Sequence, residues 1–366
     1  MKNKMIYLLV ISSIFLSAKC KDQHEDLAGQ SPSAQGKDSL RYPIDLALIY
    51  HGGSQRRDWN KDQMRPYVYR MKDGQLQWLF DGFLFLEITT NANGQQYSFV
   101  VNTNPADKEQ WQTLLDRTFA AGHGPDALEQ LLDSLEKKKD IPPYRRKVVI
   151  SIPNPAYGDT SWGALSNKNL DFNNDRDRIT AATWFVNQAL EIWKSKKYKH
   201  LKLAGFYWVH EAVANQSDAN VIQAMSNYLH DNKLDFYWIP YYNAGRAGDW
   251  NDMGFDIAYQ QPNYFFNLTT PYSRLPDAIN FAKQHKMAYE MEFDGRLMTS
   301  ADYRKRFYDY LNEFKKGGVW AQAPVAYYEG GGAWLDMSRS DDPEAQKAFN
   351  ALGDILAERK EKGIHP

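Results

Sequence analysis

Residues Met287 to Gly295 read Met-Ala-Tyr-Glu-Met-Glu-Phe-Asp-Gly, a stretch of strand length that carries three acids among apolar residues. Side chains on a strand alternate, so Glu290, Glu292 and Asp294 share one face while Tyr289, Met291 and Phe293 share the other. Carboxylates stacked on one face repel one another and resist burial. That cost is met where strand ends open into a functional cavity, as at the C-terminal mouth of an eight-stranded parallel barrel.

Seven other apolar runs of strand length support this reading: Ile44 to Tyr50, Phe80 to Thr90, Lys147 to Pro153, Leu203 to Glu211, Phe236 to Asn243, Phe255 to Gln261 and Pro324 to Glu329. With Met287 to Asp294 as the seventh in order they make eight, the number that a closed (β/α)8 TIM-type barrel requires. Helical periodicity fills several connections: Asp175 to Lys194, Val221 to Leu229, Leu275 to Ala282, Tyr303 to Phe314 and Pro343 to Leu356. Asp175 or Asp177 is suited to cap the first of these. Alternating strands and helices imply right-handed crossovers and a parallel sheet. The connection Ala244 to Gly254 is too short for a full helix, which keeps an open doubly wound sheet as the alternative. Thr89 to Asn104 and Asn154 to Asn174 follow strand ends and are expected as loops over the mouth.

The chain divides into residues 1–20, 21–40 and 41–366. Lys2 and Lys4 precede an apolar run, Met5 to Leu16, that is too short to span a bilayer and reads as a signal peptide. Polar residues from Lys21 onward read as a flexible tether. The remainder suits a single barrel domain. A formal net charge of -1 argues against nucleic acid, whose binders need a basic surface. With one cysteine, Cys20, no internal disulfide is possible. Tyr and Trp are abundant, at 23 and 11, and such amphipathic rings suit platforms for sugar faces, although most aromatics in any chain are core.

Polar groups gather at the predicted C-terminal strand ends. They are His51, Glu87, His210 with Glu211, Tyr242 with Asn243, Gln260 with Gln261, the three acids of the seventh strand, and Glu329. Several acids converging on one cavity are harder to dismiss than one, which would serve equally as a helix cap. Paired carboxylates beside an aromatic cleft point to glycoside hydrolysis, in which one acid assists the leaving group and a second attacks or activates water. His51, Glu87, His210, Tyr242, Asn243, Gln260, Glu290, Asp294 and Glu329 are then candidate substrate contacts, as is Arg246, which could bind an anionic sugar or hold its own loop. Each has a bland reading as well, in capping, ion pairing or core packing; for Glu292 it is an ion pair with Arg296 or Arg246.

The order of these acids resembles that of the retaining barrel glycosidases, with the acid/base ending the fourth strand and the nucleophile ending the seventh. The resemblance places the acid/base on Glu211 and the nucleophile on Glu292, with Glu290 as rival. His210 stands where those enzymes carry Asn, and Tyr328 and Glu329 stand where they carry Trp. The runs His51-Gly52-Gly53, Trp78 to Phe83, Phe206 to Glu211, Ile239 to Tyr242 and Tyr259 to Pro262 resemble an uncharacterised bacterial lipoprotein family known only as domain of unknown function 4855. That resemblance implies a barrel and supplies no activity. Leu16 to Cys20 resembles a lipobox, which implies export across the inner membrane and lipidation at Cys20 in the bacterial cell envelope. The acidic start Lys21 to Asp26 resembles the signal that sends some such lipoproteins to the outer-membrane surface.

The expected protein is therefore a monomer acting on a polysaccharide or oligosaccharide, touching the membrane only through its anchor and needing no cofactor. A non-catalytic glycan-binding lipoprotein on the same scaffold is the alternative, and a metal-dependent hydrolase is a third reading. Asp171, Asn173, Asp175 and Asp177 alternate as in a calcium loop, but Arg176 stands where such a loop needs Gly and no Glu closes it. No His pair has zinc-ligand spacing, and no Gly-rich phosphate loop or Gly-x-Ser-x-Gly elbow is present.

Overall fold

The structure is a computed structural model and describes residues 41–53, 56–90, 94–98, 104–138, 140 and 144–362. The expected signal peptide, Cys20 and the tether lie outside the described residues. In chain order the strands are β1 (Asp45–Tyr50), β2 (Tyr69–Lys72), β3 (Gln75–Trp78), β4 (Gly82–Leu86), β5 (Arg146–Ile152), β6 (Ala164–Leu165), β7 (Lys168–Asn169), β8 (Leu201–Trp208), β9 (Asp235–Trp238), β10 (Ile257–Gln260), β11 (Ala288–Glu292) and β12 (Val325–Tyr328). Eight of them close into a barrel in the order β1-β12-β11-β10-β9-β8-β5-β4, with every pairing parallel. β2 with β3 and β6 with β7 form separate two-stranded hairpins. Closure excludes the open doubly wound sheet.

Each expected barrel strand is present, but several stop short of their apolar runs. β9 ends at Trp238 rather than Asn243, because Pro240 has no N–H to donate to a ladder. The leftover apolar residues Val209 and Ile239 stay buried and line the mouth.

The helices are α1 (Lys61–Val68), α2 (Lys108–Thr118), α3 (Gly124–Lys137), α4 (Asp175–Lys196), α5 (Gln216–Asp231), α6 (Arg274–Gln284), α7 (Arg296–Thr299), α8 (Ala301–Lys316), α9 (Val319–Gln322), α10 (Ala333–Arg339) and α11 (Pro343–Lys362). The five periodic segments correspond to α4, α5, α6, α8 and α11. The short connection after β9 holds only a 3-10 turn, Ala247–Asp249. Helix α4 is capped by Asn174, whose side chain accepts from the Arg176 N–H, and not by Asp175 or Asp177. Strand periodicity gave no sign of α1 and α2, yet both carry a reciprocal capping box, Asn60 with Gln63 and Asp107 with Gln110.

Alternation sorts the barrel side chains. Leu46, Leu48, Leu84, Val149, Tyr237, Ile257, Tyr259, Ala288 and Ala326 fill the interior. Their neighbours Ala47, Phe83, Phe85, Val148, Phe206, Trp238, Met291 and Tyr327 pack outward beneath the helices. At the N-terminal end, Arg359 of α11 reaches Asp45 Oδ1 at 2.9 Å, and Lys360 bridges Asp45 and Asp81 at 2.6 and 2.7 Å. The last helix is thereby locked across the bottom, leaving chemistry to the other end.

Candidate active site

Glu290 and Glu292 of β11 share the inward parity of Ala288, so both carboxylates enter the barrel at its C-terminal end. Glu211 lies three residues beyond β8, on the parity of the inward-facing Tyr207 and Val209. The three acids feel one another: burial and the charges of Glu292 and Glu211 hold Glu290 well above the usual carboxylate range. Burial pushes Glu211 up to about 7, opposed by a hydrogen bond from Gln261. Glu292 is also pushed up to about 7, by burial first, although three donors favour its anion.

Those donors distinguish the acids. Glu292 Oε2 accepts the Tyr264 N–H at 3.1 Å and the hydroxyl of Tyr310 on α8, and Oε1 accepts the Asn263 amide at 3.1 Å. Among the described residues no group donates a hydrogen bond to Glu290, and no arginine or lysine pairs with Glu292. Arg296 instead grips Asp294, at 2.6 Å, and Arg246 lies 3.7 Å from Asp249. Asn263 also donates to Gln261 Oε1 at 2.9 Å, and the Gln261 amide, which donates to the Ile239 carbonyl at 2.9 Å, favours the Glu211 anion, so amides stand between Glu211 and Glu292. Tyr50, Tyr207 and Tyr328 complete the wall; the Tyr50 and Tyr328 rings meet edge to face at 5.6 Å.

The other candidates separate by parity. Glu87 follows Leu86 and turns outward, where Arg56 holds it at 2.8 and 2.9 Å and the Gly53, Ile88 and Thr89 N–H groups saturate it. His51 turns outward too, its Nε2 lying 2.7 Å from the Arg117 carbonyl. Glu329, pushed up to about 8 by burial, accepts the Gly332 and Trp334 N–H groups and caps α10. Gln260 points away from the lumen, and its neighbour Gln261 is the one that faces Glu211. His210 bonds the Ser98 carbonyl at 3.0 Å, and burial lowers its pKa. Tyr242 lies under the Arg274 guanidinium at 3.9 Å, while Asn243 and Arg246 are exposed in left-handed turns.

Sequence reasoning missed Asn263 and Tyr310 and set Gln260 in place of Gln261. The polar run Gln260-Gln261-Pro262-Asn263 could have drawn attention to Asn263. Tyr310 gives no signal, since it reads as an ordinary core residue of α8.

The model of a family described as a domain of unknown function, DUF4855, matches residues 45–354. The chain belongs to that family. No curated protein matches it in sequence. Similar solved structures include the endoglucanase Cel5A from Pseudomonas stutzeri, at 12% identity and TM-score 0.43 over 86% of this chain and 94% of that one. The chitinase ICChI from Ipomoea carnea is similar at 11% identity and TM-score 0.42, over 86% and 99%. A tryptophan synthase from M. tuberculosis is similar at 7% identity and TM-score 0.36, over 86% and 94%. Fold alone does not name a chemistry, and the DUF4855 site has to be read from its own residues.

Among the described residues, Glu129 and Asp133 of α3 with His200 hold ligand atoms all within 4.8 Å of one another. The Lys199 and His200 N–H groups already occupy Glu129, and His200 Nε2 lies 3.1 Å from Asp133. The cluster is accounted for as a tie between α3 and the start of β8.

Proposed function

We propose that this protein hydrolyses a glycosidic bond, with Glu211 as acid/base and Glu292 as the ionised partner. The observation that carries the reading is the unequal solvation of two inward carboxylates. Among the described residues Glu292 has three donors and no cation, which favours its anion without neutralising it. Glu211 is opposed by one amide only; both acids are pushed up to about 7, so near neutrality a proton is available on one of the pair, and the donors favour leaving the anion on Glu292.

In the retaining form, Glu292 attacks the anomeric carbon while Glu211 gives its proton to the departing oxygen. Glu211 then takes a proton from water as that water displaces Glu292. Glu290, without a donor and next to both acids, stays protonated and offers a hydroxyl hydrogen to the sugar. The expected setting is the cell envelope, with Cys20 as anchor.

The test is reducing-sugar release from a panel of bacterial, plant and host polysaccharides by the protein and by Glu292→Gln. Release that the variant loses supports the reading. Binding of one polysaccharide by both proteins, with no release by either, replaces it with a glycan-binding role.

A further inference from the structure

Beside the mouth lies a cavity of about 390 Å³, lined by His51, Arg56, Arg57, Asp58, Arg117 and His123 together with small residues. We propose that this cavity is a subsite for the anionic substituent of a sugar, a carboxylate or a sulfate, so that the glycan acted on is acidic. The inference rests on the glycan reading above and narrows its substrate class.

The cavity is built rather than left over. Gly53 has no room for a side chain, because a Cβ there would lie 2.2 Å from Glu87 Oε2. Its absence lets Glu87 orient Arg56 through two hydrogen bonds, at 2.8 and 2.9 Å. Opposite, a Cβ on Gly332 would lie 2.0 Å from Arg57 Nε, so the glycine turn after β12 is what admits that guanidinium. Arg57 is steadied by the Gly331 carbonyl at 3.3 Å and by Asp336 at 2.7 Å.

The third arginine supplies the unmet charge. Arg117 donates to the Gly52 carbonyl at 2.6 Å, while its own carbonyl accepts from His51 Nε2 at 2.7 Å. The first bond orients the guanidinium and the second ties its backbone to His51, yet among the described residues Arg117 has no carboxylate partner. The acid of the lining, Asp58, is exposed, and its carbonyl rather than its carboxylate holds His123 Nδ1, at 2.8 Å. A planar guanidinium held this way matches the two oxygens of a carboxylate or sulfate.

One buried side chain, Tyr50, stands between the cavity and the mouth that holds the acids. The Arg56 guanidinium lies 4.8 Å from the centre of the Tyr50 ring, and Tyr50 packs on Tyr328 in the wall of the mouth. A glycan seated over Glu211 and Glu292 therefore has a cationic cradle one aromatic ring away.

The experiment titrates the full-length protein with D-glucuronate, D-glucose 6-sulfate and D-glucose, following binding calorimetrically, and repeats this with Arg117→Gln, Arg57→Gln and Glu292→Gln. Preference for either anion over glucose is expected, weakened about tenfold by Arg117→Gln or Arg57→Gln and retained by Glu292→Gln. Whichever anion binds assigns the substituent. Two arginine variants are used so that one which fails to fold leaves the other decisive. Equal response to all three sugars, no response to either anion, or anion binding unchanged in a folded arginine variant overturns the subsite. Release of neutral sugar that Glu292→Gln abolishes would leave the hydrolase standing without it. Anion binding with no hydrolysis would do the reverse.

Discussion

The side-chain amide of Asn263 donates to Glu292 Oε1 at 3.1 Å and to Gln261 Oε1 at 2.9 Å, and Gln261 in turn reaches Glu211. Among the described residues the two carboxylates proposed for chemistry are therefore separated by amides rather than by a cation, and burial together with the charge of Glu211 raises the pKa of Glu292.

If Glu292 works as an anion, its donors matter more to rate than to folding. Tyr310→Phe removes the hydroxyl bonded to Glu292 Oε2 and leaves the ring. A hydrogen bond to a charged group contributes about 1.5–3 kcal/mol, so kcat/KM should fall roughly ten- to a hundredfold. Losing a donor also raises the Glu292 pKa, so the acid limb of the rate profile should move to higher pH. An unchanged limb in the variant's pH profile would remove Glu292 from the chemistry.

The activity should be bell-shaped in pH with its optimum near neutrality. Glu292 must be ionised, and rate is lost as pH falls below its pKa of about 7. Glu211 must be protonated, and rate is lost as pH rises above its pKa of about 7. Glu211→Gln should depress release of ordinary sugars far more than release of a good leaving group such as a nitrophenol, which needs no proton. Equal losses on both substrates would deny Glu211 the acid role.

The same burial makes stability depend on pH. Glu290 has a folded pKa raised well above its unfolded value, so its stabilising contribution is full below about pH 4.5 and is lost as pH rises through the folded value. Thermal melts of the protein should therefore fall from pH 5 to pH 8. Glu290→Gln cannot ionise, and it should fall less over that range. A steeper fall in the variant would show that Glu290 is not a buried neutral acid.

At the opposite end, Arg359→Met should unfold the barrel easily. Its guanidinium is buried against Asp45, and removing one member of a buried ion pair costs about 3–5 kcal/mol. Denaturant titration measures this, and a loss smaller than about 1 kcal/mol would mean that Lys360 alone satisfies Asp45.

Much of this molecule was legible in order along the chain. Eight apolar runs at strand length marked the barrel, because burial of both strand faces leaves little room for polar residues before the strand ends. The acids of Met287 to Gly295 marked its working end for the same reason. Glu87 and Glu329 read in the sequence as substrate contacts sharing one cavity with Glu211 and Glu292. One residue of register separates them, since a strand end that overruns or stops by one turns the same carboxylate from the cavity to the helix layer. Glu329 accordingly caps α10, and Glu87 holds Arg56.

The chain by itself determined which segments are strands and helices and that Glu290 and Glu292 share a face, since alternation and periodicity are properties of neighbouring residues. Only the tertiary structure decided which acids are solvated. Asn263 and Tyr310 reach Glu292 from 29 and 18 residues away, and Arg57, after β1, is admitted at Gly332, after β12, because the barrel closes the first strand against the last. Hydrogen-bond donors act over about 3 Å in space, and nothing in their sequence spacing records that distance.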